Sequence, residues 1–302
     1  MPAPVTIALF GANGQLGFEL HRALAPLGPV HALTRKQADL ADAHQALRVL
    51  DVLKPGVVVN AAAYTAVDKA EREAALCHAI NAHTQQRLSQ WAEGNNARIV
   101  YYSTDYVFDG VKPAADRYRE DDAPNPQSVY GQSKLAGERL TQASGAAHLI
   151  FRTSWVVGVH GGNFAKTMLR LARERDALKV VADQWGAPTT AALIADVTAH
   201  VLRARLDGRG ADGVYHLAAD GVTNWCEYAR FVIANALEAG MKLRITPDDV
   251  EAITASQYPT PAKRPANSRL CTDKLRQTFD LHLPDWRIGV AQVVQQLSEQ
   301  VQ

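Results

Sequence analysis

The chain reads as an α/β protein: a doubly wound parallel sheet with helices on both faces, joined to a smaller, mixed α/β lobe. Three observations predict this. Short β-branched runs alternate with longer helical patterns through the first half of the sequence, the mark of successive βαβ units. A glycine-rich turn separates the first such run from the first helical pattern. Near residue 153 the alternation becomes irregular, and short strands are then scattered among helices. With 302 residues, 47% of them hydrophobic and 21% charged, the chain is long enough to bury a large core.

The elements follow in order. Residues 5–10 form an apolar run too short to span a bilayer and without the basic stretch of a secretory signal, so they are the first strand. A helix is expected over 15–24, a strand over 30–33, a helix over 43–53, a strand over 57–61, one long helix over 68–91 and a strand over 98–103. Lys54-Pro55-Gly56 and Glu93-Gly94-Asn95-Asn96 punctuate the helices. Between 108 and 128 the apolar period disappears into a long polar loop rich in proline, the kind that carries function. Residues 148–152 make another strand. Beyond it come helices at about 163–173, 190–204 and 223–238 with short strands at 178–181 and 215–217. Asp248-Asp249-Val250-Glu251 reads as the first turn of a helix, where carboxylates complement the dipole. We expect residues 1–153 to form a dinucleotide-binding domain to which 190–218 returns, and 154–302 to be mainly a substrate-binding lobe, with a cleft between.

Charge and composition exclude several functions. Lys and Arg number 32 against 31 Asp and Glu, a formal charge of +1, so no field draws nucleic acid or an anionic membrane. An anionic ligand must be held locally. Three separated cysteines fit buried thiols in a reducing cytoplasm better than a disulfide framework. Ten histidines contain no H-E-x-x-H, and there is no G-x-S-x-G elbow or P-loop lysine, which leaves hydrolase and phosphotransferase readings without an anchor.

The first turn reads Gly11-Ala12-Asn13-Gly14-Gln15-Leu16-Gly17. Glycines there let a pyrophosphate approach the amides of a helix N-terminus, which marks a Rossmann-type unit. The second strand ends at Thr34-Arg35-Lys36, with two cations where an acid commonly holds the ribose of NAD. That tip suits the 2′-phosphate of NADP, and Asp39-Leu40 follow where a loop borders adenine. Further on, Tyr130 and Lys134 are spaced i,i+4 at the start of a helix, downstream of Thr104 at a strand end. This places phenol and ammonium on one face, where the cation lowers the phenol pKa and Thr104 bonds the same developing oxyanion.

These motifs, with Asn60-Ala61-Ala62-Ala63-Tyr64-Thr65 and Ser103-Thr104-Asp105-Tyr106-Val107-Phe108-Asp109-Gly110, resemble the extended short-chain dehydrogenase/reductases that act on nucleotide sugars. The resemblance runs from Ile7 to about Val290. Phe151-Arg152-Thr153-Ser154-Trp155, Asn163-Phe164-Ala165-Lys166-Thr167-Met168, Asp183-Gln184-Trp185-Gly186-Ala187-Pro188-Thr189 and Tyr258-Pro259-Thr260-Pro261-Ala262-Lys263-Arg264-Pro265-Ala266-Asn267-Ser268 are its most specific segments. It implies reduction of the C4 keto group of dTDP-6-deoxy-L-lyxo-4-hexulose to dTDP-L-rhamnose, a precursor of polymers such as lipopolysaccharide O-antigen, with NADPH and also NADH. It further implies that Thr104, Tyr130 and Lys134 are catalytic and that Gly11, Gly14, Gln15, Leu16, Gly17, Thr34, Arg35, Asp39, Leu40, Ala63, Tyr64, Thr65, Tyr130 and Lys134 line the cofactor. Asp105 and Trp155 would meet the sugar beside Thr104, and Arg264, Asn267 and Ser268 the diphosphate. The alternatives on this fold are a 4-epimerase, a 4,6-dehydratase or a non-catalytic regulatory subunit. Related dehydratases carry Asp-Glu after the Thr, whereas here Asp105 precedes Tyr106. Some relatives dimerise around magnesium through two glutamates whose positions here are Ala192 and Arg287. The expectation is therefore no metal, and a monomer rather than a magnesium-bridged homodimer.

Overall fold

The computed structural model describes residues 4–113 and 115–300. Six parallel strands make its central sheet: β1 (Ile7–Phe10), β2 (Val30–Leu33), β3 (Val57–Asn60), β4 (Arg98–Thr104), β5 (His148–Thr153) and β10 (Gly213–His216). Their spatial order is β10-β5-β4-β3-β1-β2. The chain passes from β1 to β2 on one side and then crosses to β3 on the other, so the direction of winding reverses between β1 and β3. Crevices open beyond the carboxyl ends of the strands at such a switch point, and the glycine turn follows β1 directly.

Both faces of the sheet are covered, which is why its strands are continuous apolar runs. On one face Leu9, Val100, Tyr102, Leu149 and Phe151 pack with Leu20 and Leu24 of α1 (Gln15–Leu24) and Ile194, Val201 and Leu202 of α8 (Ala191–Leu206). On the other, Phe10, Val58 and Ile99 meet Leu50 of α2 (Ala43–Leu53) and Leu88 of α5 (Thr84–Gly94). The boundary expected at 153 is crossed more than once. Strand β10 and helix α8 join the first layer, and so do Leu275 and Phe279 of α10 (Asp273–Phe279). A separate core joins α7 (Phe164–Glu174), α9 (Trp225–Glu238) and α11 (Trp286–Glu299) through Leu169, Val232, Ile233, Val290 and Val294. Beside it lie three two-stranded pairs: β6 (Val156–Val157) with β9 (Thr189–Thr190), β7 (Leu178–Val181) with β12 (Val250–Ile253), and β8 (Trp185–Gly186) with β11 (Thr223–Asn224).

Two expectations are corrected here. The long helix over 68–91 is broken into α3 (Val67–Ala70), α4 (Ala74–His78), a π-helical turn over Ala79–His83, and α5. Within the π turn Asn81 clasps the backbone of Tyr64 through two bonds of 2.8 and 3.0 Å. Asp248 and Asp249 do not begin an α-helix. Thr246 and Asp249 close a 3₁₀ turn by mutual capping, and β12 then buries Val250 and Ile253 against β7.

Candidate active site

The cleft lies along the carboxyl ends of five neighbouring strands and has a volume of about 560 Å³. Its wall starts at Arg35 after β2, passes Gly11, Gly14, Gln15 and Leu16 after β1 and Ala61, Ala62, Ala63 and Thr65 after β3, and ends at Ser103, Tyr130, Lys134 and Thr153. Asp39 and Leu40 complete the first end. Gly11 sits at φ +77°, and a Cβ there would press on the Ala62 amide, so only glycine lets the β1 and β3 loops close together. Gly14 is extended and serves as N-cap of α1 without a side chain, leaving the first amides of the helix open to the cleft. Gly17 lies behind the turn against the Gly11 carbonyl, outside the lining.

At the Arg35 end the guanidinium is 79% exposed and Asp39 sits 4.0 Å from its Nε. The Thr34 amide and hydroxyl both donate to Gln37, at 2.9 and 2.8 Å, which pins the tip of β2. Tyr64 turns away from the lining to donate to Glu73 at 2.7 Å.

Tyr130 and Lys134 ride on α6 (Val129–Ala143), whose placement is over-determined. The Ser128 hydroxyl caps it at Gly131, and the Glu71 carboxylate accepts from the Val129 amide at 2.9 Å. Gly131 packs so closely that a Cβ would collide with the Tyr106 carbonyl. One turn beyond Lys134, buried Glu138 takes three bonds from Arg152 of β5, at 3.0, 3.2 and 2.7 Å. The Ser133 hydroxyl accepts from Asn81 at 3.0 Å, which fastens the same helix to the π turn.

The electrostatics differ from the sequence expectation in one respect. Burial raises the Tyr130 phenol above its usual range, opposed by a hydrogen bond from Thr104; Lys134 is not what governs it. The Lys134 ammonium stands 4.0 Å from the centre of the Tyr101 ring, and burial draws it down to about 7 with Glu138 opposing. The expected depression of the phenol by the lysine is thus outweighed by desolvation of both groups. Asp105, 3% exposed, is pushed up to about 6 by burial, with bonds from Ser268 and Thr104 opposing. Thr104 Oγ1 lies 3.1 Å from Asp105 Oδ1, so its hydroxyl links the carboxylate to the phenol.

The second-lobe residues are placed unevenly. Ser268 is buried beside Asp105. Trp155, at φ +49°, stacks one indole face on Trp225 with ring centres 3.6 Å apart. Arg264 is engaged by Asp68 of α3 through bonds of 3.1 and 2.7 Å. The Asn267 amide donates to the carbonyls of Lys112, Pro113 and Asp116, which braces the 108–128 loop. None of these four lines the strand-end cleft. Residues that sequence reasoning did not single out do: Ser103, Thr153, and Gly161 and Gly162, whose loop is tied to Gln15 by the Gln15–Gly162 and Asn163–Gln15 bonds. Among the described residues no group of three or more His, Cys, Asp or Glu could hold a metal, and no helix is long and apolar enough to cross a membrane.

A parallel sheet with a glycine turn at its switch point, and a Tyr/Lys helix beside a strand-end threonine, defines an extended short-chain dehydrogenase/reductase. The comparisons narrow the class. Residues 5–299 match the model of the RmlD substrate binding domain family. The dTDP-4-dehydrorhamnose reductase of Salmonella typhimurium is 46% identical over 97% of this chain and 98% of its own length. Among solved structures, the dTDP-4-dehydrorhamnose reductase of Bacillus anthracis, in complex with NADP, has a TM-score of 0.87 at 33% identity, covering 96% of this chain and 99% of that one. The corresponding Clostridium acetobutylicum structure has a TM-score of 0.89 at 34% identity, covering 97% and 99%. This chain belongs to the dTDP-4-dehydrorhamnose reductase family.

Proposed function

We propose that the protein reduces the C4 keto group of dTDP-6-deoxy-L-lyxo-4-hexulose to give dTDP-L-rhamnose, with NADPH as reductant and NADH as a second choice. The observation that carries this reading is the cleft itself. A single groove joins the glycine turn, the basic tip of β2 and the Tyr130/Lys134 helix in a chain that matches the reductase family from end to end. The residues fit a dinucleotide: open helix amides at Gly14–Leu16 suit a pyrophosphate, and Gly11 permits the close approach. NADP in the Bacillus anthracis relative supports the choice of cofactor.

When bound, the dinucleotide supplies the hydride that becomes the new C4–H bond. The chain's own residues manage the proton. Tyr130 stays protonated through burial and gives its proton to the C4 oxygen as charge develops there. The hydrogen bond between Thr104 and Tyr130 favours the phenolate left behind, and Lys134 would hold the ribose hydroxyls of the dinucleotide. Asp105 accepts sugar hydroxyls, and the Trp155 indole offers apolar surface to the deoxysugar. Arg264, Asn267 and Ser268 would reach the diphosphate only at the expense of present bonds, since Asp68 already occupies the guanidinium.

Neither nucleic acid nor a metal has a part in this reading. Arg287 is paired with Asp285 and Ala192 offers a methyl, which favours a monomer over a magnesium-bridged dimer. Three buried free cysteines suit the cytoplasm. The test supplies the 4-keto sugar, generated in situ, with NADPH. Loss of cofactor absorbance with stoichiometric dTDP-L-rhamnose is expected; no reduction, or a C4 epimer or dehydrated product, refutes the proposal.

A further inference from the structure

Buried hydroxyls in this protein are generally satisfied. Thr198 donates to the Ile194 carbonyl at 2.7 Å and contacts the Tyr102 hydroxyl at 3.0 Å, and Thr84 donates to the Leu40 carbonyl at 2.7 Å. Thr141 bonds Gln85 and Ser89. Thr153 departs from this pattern. It is 6% exposed, yet its Oγ1 has no hydrogen-bond partner among the described residues. A hydroxyl kept from water in this way bears its full desolvation cost with nothing in the protein to offset it.

Its position says what the hydroxyl is for. Thr153 is the last residue of β5, in register with Thr104 on β4, and it lines the cleft with Tyr130 and Lys134. Strands β2, β1, β3, β4 and β5 stand side by side, so Thr153 lies four strand spacings, roughly 19 Å, from the β2 tip that carries Arg35. A dinucleotide with its 2′-phosphate at Arg35 and its pyrophosphate on the glycine turn brings its other end, the nicotinamide, to Thr153. Ser103 is also unpartnered and lines the cleft, but it is one residue out of phase, opposite Arg152, which bonds Glu138 on the α6 side.

We propose that the Thr153 hydroxyl binds the nicotinamide end of the dinucleotide. The carboxamide there offers both a donor and an acceptor, and a threonine hydroxyl answers either. The contact orients the ring beside Tyr130, so Thr153 serves cofactor affinity and ring placement without taking part in proton transfer. This rests on the dinucleotide reading of the cleft.

The test compares Thr153→Val, which keeps the shape and removes the hydroxyl, with Thr153→Ser, which keeps the hydroxyl. NADPH affinity is measured by fluorescence titration without sugar, and stability by urea unfolding without ligand. Thr153→Val should fold with stability equal to or above wild type while its Kd for NADPH rises roughly three- to tenfold, the worth of one neutral hydrogen bond. Thr153→Ser should stay within about twofold of wild type for the same reason. Thr198→Val, which removes a satisfied hydroxyl, should lose stability and leave NADPH binding unchanged. Three results overturn the proposal: an unchanged Kd in Thr153→Val, a loss of stability or failure to fold in that variant, or an effect confined to the KM of the sugar. If wild type binds neither NADPH nor NADH, the dinucleotide reading itself fails, which is a separate outcome.

Discussion

Asp105 offers a stability change that can be worked out in advance. Its carboxyl is buried beside Thr104 and Ser268, its Oδ2 has no partner among the described residues, and it is pushed up from 3.8 to about 6. A folded state that holds a proton more tightly than the unfolded chain loses stability as pH rises between the two values, and above the higher one the loss is complete. At 1.36 kcal/mol per pH unit, the raised Asp105 carboxyl costs the fold, relative to acid pH, about 3 kcal/mol at pH 8, where it is ionised, and about 1 kcal/mol at pH 4.5, where it still holds a proton that the unfolded chain has largely lost. Asp105→Asn has the same shape and no charge to desolvate. Urea unfolding should therefore show the variant more stable than wild type by up to about 3 kcal/mol at pH 8, with the gap shrinking to about 1 kcal/mol at pH 4.5. Its KM for the sugar should rise at the same time, because on the proposed function the carboxylate accepts ligand hydroxyls. A gap that does not change with pH, or a variant less stable than wild type at pH 8, would refute the reasoning.

Tyr130→Phe should bind NADPH as wild type does and lose roughly 10²–10⁴-fold in turnover, read from titration and single-turnover rates side by side; near-normal turnover removes Tyr130 as proton donor. Arg35→Ala should lower the NADPH-to-NADH ratio of kcat/KM by no more than about tenfold, since the guanidinium is 79% exposed and Asp39 already stands 4.0 Å from it. An unchanged ratio would mean that Arg35 does not touch the 2′-phosphate. Activity should be indifferent to EDTA and the mass by light scattering monomeric at micromolar concentration; a magnesium-dependent dimer with restored turnover would contradict the reading of Ala192 and Arg287.

The parallel sheet was legible because its strands are buried on both faces and so spell themselves as apolar runs between turn residues. The glycine turn and the Tyr130/Lys134 pair were legible for a related reason: local backbone geometry and i,i+4 spacing are written in adjacent residues. What escaped depends on partners distant in the chain. Nothing near Asn81 announces that its amide clasps Tyr64 from within a π turn. Arg264 reads as a free cation until folding brings Asp68 across to it, and Asn267 reads as a ligand contact until three carbonyls of the 112–116 segment surround it. Thr153 lies in a segment singled out by resemblance, but nothing in sequence sets it apart from its neighbours, because what distinguishes it is the bond that its hydroxyl lacks.

Where the unmet bonds fall bears on mechanism. Among the described residues Ser103 Oγ, Asp105 Oδ2 and Thr153 Oγ1 are buried and unpartnered at or just beyond the ends of the adjacent strands β4 and β5, while His216 Nε2, Tyr228 Oη and Trp286 Nε1 are so elsewhere. A few residues deeper the same strands are wholly apolar or satisfied, as at Ile99, Val100, Leu149 and Ile150. The helix that carries Tyr130 is held by a cap, a carboxylate, a buried ion pair and a close glycine contact, so its position is set by the protein's own contacts. Polar groups that are rigid, dry and unsatisfied cannot relax toward one another to recover what desolvation cost them. Their binding free energy is therefore released only to a ligand that reaches them, and a site of this kind favours developing charge without reorganising during the reaction. On the proposed function, stability is surrendered at these strand ends because a ligand is to meet the unmatched groups, while the layers on either side of the sheet offset the loss.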